Sequence, residues 1–376
     1  MIKEIGGDFH LPLNHLWGKN LGQHSSLIRQ DSTCFLMSNG RASLRLILRK
    51  ILKINKGDEV LMPAYIFQGM LNPFKEIEMT TKFYKINRDL TLDVKDVEQK
   101  INEKTKVLLL IHYFGFPQPI DQLEKLRALN TKCSIVEDIV QSYLTTLLDS
   151  SLGRFGDFSF NVYMKYLPTP DGSLLQINKP IGKLNWQNRQ FKRYLYTGTR
   201  YAAMNLKNLY LKKHLTPSWL HLRFFRYAAR LLEEYPMFAD MSCVSKRLLD
   251  KFDYRAIITR RRENFQYLLD NWNSDSIVPL FSNLPDSVCP MGFIVLAENR
   301  DHVKRELIKA KIYCPVHWQP ISQGDGNILA PEIHPDEFPI SWEISRKILM
   351  IPIDQRYGIE EMDYILDKIY GISHGK

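Results

Sequence analysis

The chain has 376 residues, too many for one small core, and its composition (44% hydrophobic, 24% charged) excludes a disordered or fibrous protein. The net charge of +10 is concentrated: no acidic residue lies between Asp171 and Glu233, while eleven Lys or Arg fall within Lys183 to Arg230. Five scattered cysteines, with no CxxC and no Cys/His ligand spacing, point to neither a disulfide framework nor a metal site.

In chain order, the N-terminal "MIKEIGGDFHLPLNHLW" lacks the apolar core of a signal peptide. The longest apolar run, near "VLLLIHYFGF", is about half of what a membrane-spanning helix needs. A soluble, cytoplasmic protein is the expectation. "SNGRASLRLILRKILKINKGDEVLMP" predicts a turn at Asn39-Gly40, then a helix with Leu44, Ile47, Leu48, Ile51 and Leu52 on one face. A break at Lys56-Gly57-Asp58 and a strand follow. "TTKFYKI", "KVLLLIHYF", "SIVEDIV" and "DFSFNVY" read as strands, with helices at "VKDVEQKINEKT" and "PIDQLEKLRALN" between them. Such alternation implies an α/β fold with a mostly parallel central sheet flanked by helices.

After Asn178 long helical stretches replace the alternation, and from about Ser276 a compact α+β pattern begins. The organisation expected is an N-terminal segment (1–30), a large domain (31–250) containing a basic-aromatic helical region (183–230), and a smaller C-terminal α+β domain (251–376).

Ligands of parallel α/β sheets bind beyond the carboxyl ends of the strands. Four groups fall at such ends: Ser38-Asn39-Gly40-Arg41, opening a helix; "PAYIFQG"; Glu137-Asp138 with Gln141; and Ser159 with Lys165. Singly, each has an ordinary explanation as a capped helix, a turn or a solvated cation. Together they match the needs of pyridoxal 5'-phosphate (PLP): an amine for its aldehyde, a carboxylate at its ring nitrogen, an anion site and a flat apolar partner. Lys165, Asp138, the Gly40-Arg41-Ala42 helix start with Ser159, and Phe67 are the candidates, since a helix N-terminus favours phosphate.

These segments together resemble the DegT/DnrJ/StrS family of PLP-dependent aminotransferases, from about Leu36 to Tyr370. "SNGRASLRL" resembles the family's phosphate turn, "GDEVLMPAYIFQGMLNPF" its ring-stacking segment and "VEDIVQSY" its acidic motif. "GDFSF", followed by a lysine and Asp-Gly, resembles its lysine segment, and "MSCVSKRLLDKFDYRAIITRRRENF" its long helix. The resemblance implies the fold of type I PLP enzymes and a homodimer with its active site near the interface. It also implies transfer of an amino group, from glutamate, to a keto-sugar, typically nucleotide-linked, in polysaccharide or glycoconjugate biosynthesis. Lys165 would hold the cofactor and carry protons, Asp138 would face the ring nitrogen, and Gln141 would bond the ring substituents. His317 and Trp318 resemble a loop on the substrate side.

Three departures stand out. Lys165 lies five residues after Phe160 where the family has four, Ser173 replaces the second Gly of Asp-Gly-Gly, and "FADMS" replaces a segment whose Asn reaches the neighbouring subunit's phosphate. Arg41 could take over that Asn's role, or point to solvent. These departures leave open a second class of function, a family-fold protein with little or no transaminase activity that acts as a binding or regulatory partner. The basic-aromatic stretch has three readings: a core or dimer-interface helix, attraction of an anionic substrate, or docking on an anionic membrane surface. No nucleic-acid-binding module is recognisable.

Overall fold

Val107 to Ile111 are buried without interruption, as expected of a strand covered on both faces. They lie in the middle of the main sheet of a computed structural model describing residues 4–24, 32–119, 133–147, 150–182, 184, 191–213, 215–234, 239–320 and 328–374. The strands are β1 (Ile5–Gly6), β2 (Thr33–Met37), β3 (Glu59–Pro63), β4 (Thr80–Tyr84), β5 (Thr105–Ile111) and β6 (Ser134–Asp138). They continue with β7 (Thr146–Leu147), β8 (Ser150–Ser151), β9 (Phe158–Phe160), β10 (Ser173–Ile177), β11 (Ile277–Pro279), β12 (Phe293–Ala297), β13 (Ile312–Tyr313) and β14 (Ile348–Ile351).

Among the described residues, the main sheet has seven strands in the order β2-β10-β9-β6-β5-β3-β4. Only β10 is reversed, antiparallel to both of its neighbours. The register sets Ile111, Asp138 and Phe160 side by side. The residues that follow them therefore share one lip of the sheet, where ligands of such sheets bind.

The helices are α1 (Gly40–Leu46), α2 (Asn72–Lys75), α3 (Val94–Lys100), α4 (Phe191–Lys213), α5 (Ser218–Glu234), α6 (Cys243–Leu249), α7 (Tyr254–Asp270), α8 (Arg300–Lys309), α9 (Pro339–Lys347) and α10 (Ile359–Ser373). All but the first residue of the helix expected over 119–130 lie outside the described residues. The apolar face expected after Asn39 is present, with Leu44, Ile47 and Leu48 fully buried. The helix itself loosens into a π turn over Ile47–Ile51 instead of staying regular. β9 is shorter than its sequence suggests. Asn161 ends it by giving its N–H to the Leu174 carbonyl and accepting the Leu174 N–H on its side chain, so the chain turns into a short helical turn ending at Lys165.

β11, β12 and β14 form an antiparallel sheet in the C-terminal part. The N-terminus is tied to this region: β1 pairs in parallel with β13, and the Lys251 ammonium donates to the Gly18 carbonyl at 2.7 Å.

Asp171 locks the loop after Lys165. Its buried carboxylate accepts from the Ser242 hydroxyl (2.6 Å), the Ser242 N–H (3.1 Å), the Thr197 hydroxyl (3.1 Å) and the Ser245 hydroxyl. Ser242 also caps α6. Gly172 follows at φ +123, a conformation that residues with a Cβ rarely adopt, and an added Cβ would also stand 2.4 Å from the Met241 methyl, forcing it to shift. Asp171→Ala strands four buried donors and is expected to cost about 3 kcal/mol or more in urea unfolding; a cost under about 1 kcal/mol would show that these donors find other partners.

Candidate active site

Asp138 ends β6 and is 5% exposed. Among the described residues its carboxylate accepts one hydrogen bond, from the Val140 N–H at 2.9 Å. Burial raises its pKa to about 7, against the opposing pull of that hydrogen bond and of the Lys165 charge. Its strand neighbour Glu137 has a structural task. It accepts from the Gly156 N–H at 2.5 Å and pairs with the His112 Nε2 at 3.0 Å, while the His112 Nδ1 accepts the Gln118 N–H. Gln141 lies just beyond and receives the Phe114 N–H on its side chain at 3.0 Å.

Lys165 opens onto a cavity of about 660 Å³. Among the described residues its ammonium makes no hydrogen bond or ion pair. Its side chain is exposed to that cavity; the protein packed around it still lowers its pKa by desolvation, Arg200 lowers it further, and Asp138 and Asp8 oppose them. An amine held below its ordinary pKa, with no partner and with access to a cavity, is a usable nucleophile and proton carrier. His317 lines the same cavity. It is buried, its Nδ1 has no partner among the described residues, and burial plus the Lys165 charge drive its pKa well down, so its ring is neutral. Trp318 instead packs inward, stacked on Phe67 (6.3 Å, 28°) and tilted against Tyr65 (5.3 Å). Phe67 stays half-buried at the lip.

At the helix start, Asn39 caps α1 through its side chain and already occupies the Ala42 N–H at 2.9 Å. The N–H groups of Gly40 and Arg41 make no bond among the described residues. The Arg41 guanidinium is held by Glu233 at 2.8 and 2.9 Å, which corrects the expectation that it replaces the absent Asn: a carboxylate on α5 has claimed it. A second correction concerns Ser159. Neighbouring strand residues face opposite sides. Gly40 packs over the Phe160 ring, whereas the Ser159 hydroxyl lies against Gly153, buried and without a partner among the described residues. Ser159 and the helix start therefore do not converge. Ser173 is well accommodated: it begins β10, donates to the Asn161 carbonyl at 2.5 Å and meets the Ser43 hydroxyl at 2.8 Å. Gly172 alone carries the left-handed conformation of that pair.

Residues 27–193 match the DegT/DnrJ/EryC1/StrS aminotransferase family. The match covers less than half of the chain. GDP-perosamine synthase of Escherichia coli O157:H7 is 30% identical over 145 residues, 38% of this chain and 39% of that protein. The first curated relatives are thus matched over about two fifths of their length. The dTDP-4-dehydro-2,3,6-trideoxy-D-glucose 4-aminotransferase of Saccharopolyspora spinosa is 23% identical over 348 residues, 88% of this chain and 82% of that one. Among solved structures, Spr1654 of Streptococcus pneumoniae, a candidate sugar aminotransferase in its PLP form, superposes with a TM-score of 0.69. The identity is 19%, over 98% of this chain and 93% of that one.

Some cavity residues carried no signal in the sequence. Asp8 comes from the N-terminal segment, Arg200 from α4, and Asp354 and Arg356 from the turn after β14. Burial alone would raise Asp354, but Arg356, at 2.7 and 2.9 Å, holds its carboxyl below the usual range. "LMIPIDQRY" reads in sequence only as a core strand and its exit turn, because nothing local marks an ion pair as facing a distant lysine.

The fit of this lip to PLP rests on a buried acid without a cationic hydrogen-bond partner and an unpaired lysine that is coupled to it. Asp138 is protonated in the folded chain up to about pH 7 but ionises near pH 4 once unfolded, so its burial destabilises the ligand-free fold increasingly as pH rises between those values. Asp138→Asn should remove that loss, gaining up to about 4 kcal/mol over wild type at pH 7 and almost nothing at pH 4 in denaturant titrations of ligand-free protein. A pH-independent difference would mean that Asp138 is not buried in this way.

Proposed function

We propose that this protein is a PLP-dependent aminotransferase that moves an amino group from an amino acid, glutamate by family likeness, to a nucleotide-linked keto-sugar. The observation that carries the reading is the Lys165 amine, without a hydrogen-bond partner among the described residues, opening onto a cavity and close enough to the buried Asp138 for each to feel the other's charge. The E. coli and S. spinosa relatives, named for GDP- and dTDP-linked sugars, support the substrate class.

When bound, PLP supplies an aldehyde for an amine and a ring that withdraws electrons. Lys165 is the residue that would hold it, Asp138 would face the ring nitrogen, Phe67 would cover the ring, and the Gly40 and Arg41 N–H groups would receive the phosphate. The Asp138 carboxyl, destabilised as an anion by burial, gains its negative charge readily beside a cation. Lys165, once released, takes and returns a proton at its Nζ, a task its lowered pKa suits. The neutral His317 ring adds no charge to the cavity wall. A homodimer belongs to the same reading.

Purified protein with PLP should show the visible band of lysine-bound cofactor and lose it on addition of glutamate, while Lys165→Ala shows no such band. A band that glutamate leaves intact would favour the alternative of a binding or regulatory protein on the same fold.

A second reading concerns the basic-aromatic region. Its aromatics divide: Tyr196 and Phe225 are buried, whereas Trp219 (57%) and Tyr227 (46%) are exposed on α5 beside Arg223, Arg226 and Arg230. No described helix is long and apolar enough to cross a membrane. We propose that this face of α5 rests on an anionic lipid surface, where cations and amphipathic rings are both favoured. Co-sedimentation with phosphatidylserine vesicles should be strong at low salt and reduced at high salt; no sedimentation at low salt discards the idea.

A further inference from the structure

One face of α4 carries Tyr196, Arg200 and Lys207, spaced at whole helical turns, toward the Lys165 cavity and the N-terminal segment. Arg200 lines the cavity together with Lys165. Its guanidinium lies over the buried Phe225 ring at 5.5 Å, which fixes its plane. Its Nε is buried and has no partner among the described residues, and neither has the Tyr196 hydroxyl one turn earlier. A guanidinium held flat, with part of its donor fork unused, is built to receive a planar anion.

That anion position is already half-taken. The Asp8 carboxylate meets the Arg200 Nη2 at 3.2 Å, and the Asp8 carbonyl accepts from the Lys207 Nζ at 2.7 Å and the Arg356 Nη1 at 3.2 Å. The Asp8 side chain is 43% exposed, so it can leave without unfolding anything. In an α-amino acid the carboxylate is one carbon from the nitrogen that must meet the group held by Lys165. Arg200 lines the same cavity as Lys165, so its guanidinium is placed for that carboxylate.

We propose that Arg200 binds the carboxylate of the amino-acid substrate, and that Asp8 occupies this position until the substrate displaces it. The proposal rests on the aminotransferase reading for the identity of the ligand, while its anion site stands on the geometry of α4. Lys207 and Arg356 hold the backbone of the Asp8 segment, so only the Asp8 side chain has to move.

The test is calorimetric titration of the PLP-loaded protein with glutarate, which has the carboxylates of the donor and no amine. Arg200→Leu should weaken glutarate binding about 10- to 100-fold, the loss expected for a charge-assisted hydrogen bond pair. Arg200→Lys should recover part of it, and Asp8→Asn should tighten binding several-fold by removing the internal competitor. Equal affinity in wild type and Arg200→Leu, or no glutarate binding to wild type, overturns the proposal. If Arg200→Leu does not fold, Asp8→Asn decides: unchanged or weaker binding overturns it. Arg200-dependent glutarate binding in a protein whose visible band ignores glutamate would keep the anion site and remove the aminotransferase reading instead.

Discussion

The buried carboxylate of Asp171 sets the geometry of everything around Lys165. It lies six residues beyond the lysine, and its partners come from two other elements: Ser242 and Ser245 at the start of α6, and Thr197 on α4. One acid therefore fixes the far end of the lysine loop and the helix that carries Arg200, three residues after Thr197. A buried carboxylate without these donors would be costly, which is why it acts as a rigid node and not as a loose contact.

Around this node the electrostatics are deliberately unsatisfied. Desolvation pushes Asp138 up and Lys165 down, so each moves toward its neutral form, and Lys165 has no hydrogen-bonded partner among the described residues. Elsewhere in the cavity two ion pairs stand, Asp354 with Arg356 and Asp8 with Arg200. The contrast separates groups whose task is to hold the cavity together from groups available to a ligand. Arg200 belongs partly to both, because beside its pair with Asp8 its Nε has no partner among the described residues.

Much of the sheet was legible because its signals are local. The apolar runs of β3, β5 and β6, with the acidic end of β6, read directly as buried strands. Lys165 and Asp138 were singled out as candidates through their positions at strand ends, and Phe67 through its segment. Ser159 and Arg41 were harder. Which face of β9 a serine takes depends on where the strand register places Phe160 against α1, and whether an arginine is available depends on Glu233, 192 residues away. Ser173, suspect in sequence because it replaces a glycine, is ordinary in space: the positive φ belongs to Gly172, and the hydroxyl finds Asn161 and Ser43.

Period-two and helical patterns, together with strand-end chemistry, were enough to establish an α/β fold with a parallel sheet and to single out a lysine and an acid at its lip, because those features arise from neighbours along the chain. The cavity that Lys165 faces is a different matter. Asp8, Arg200, His317 and Arg356 meet there from four distant segments, drawn together by the β1–β13 pairing, the Asp171 node and the packing of α4 on α5. Such convergence has no sequence period, so only the folded chain could reveal which cations stand beside the lysine and which had already found a partner.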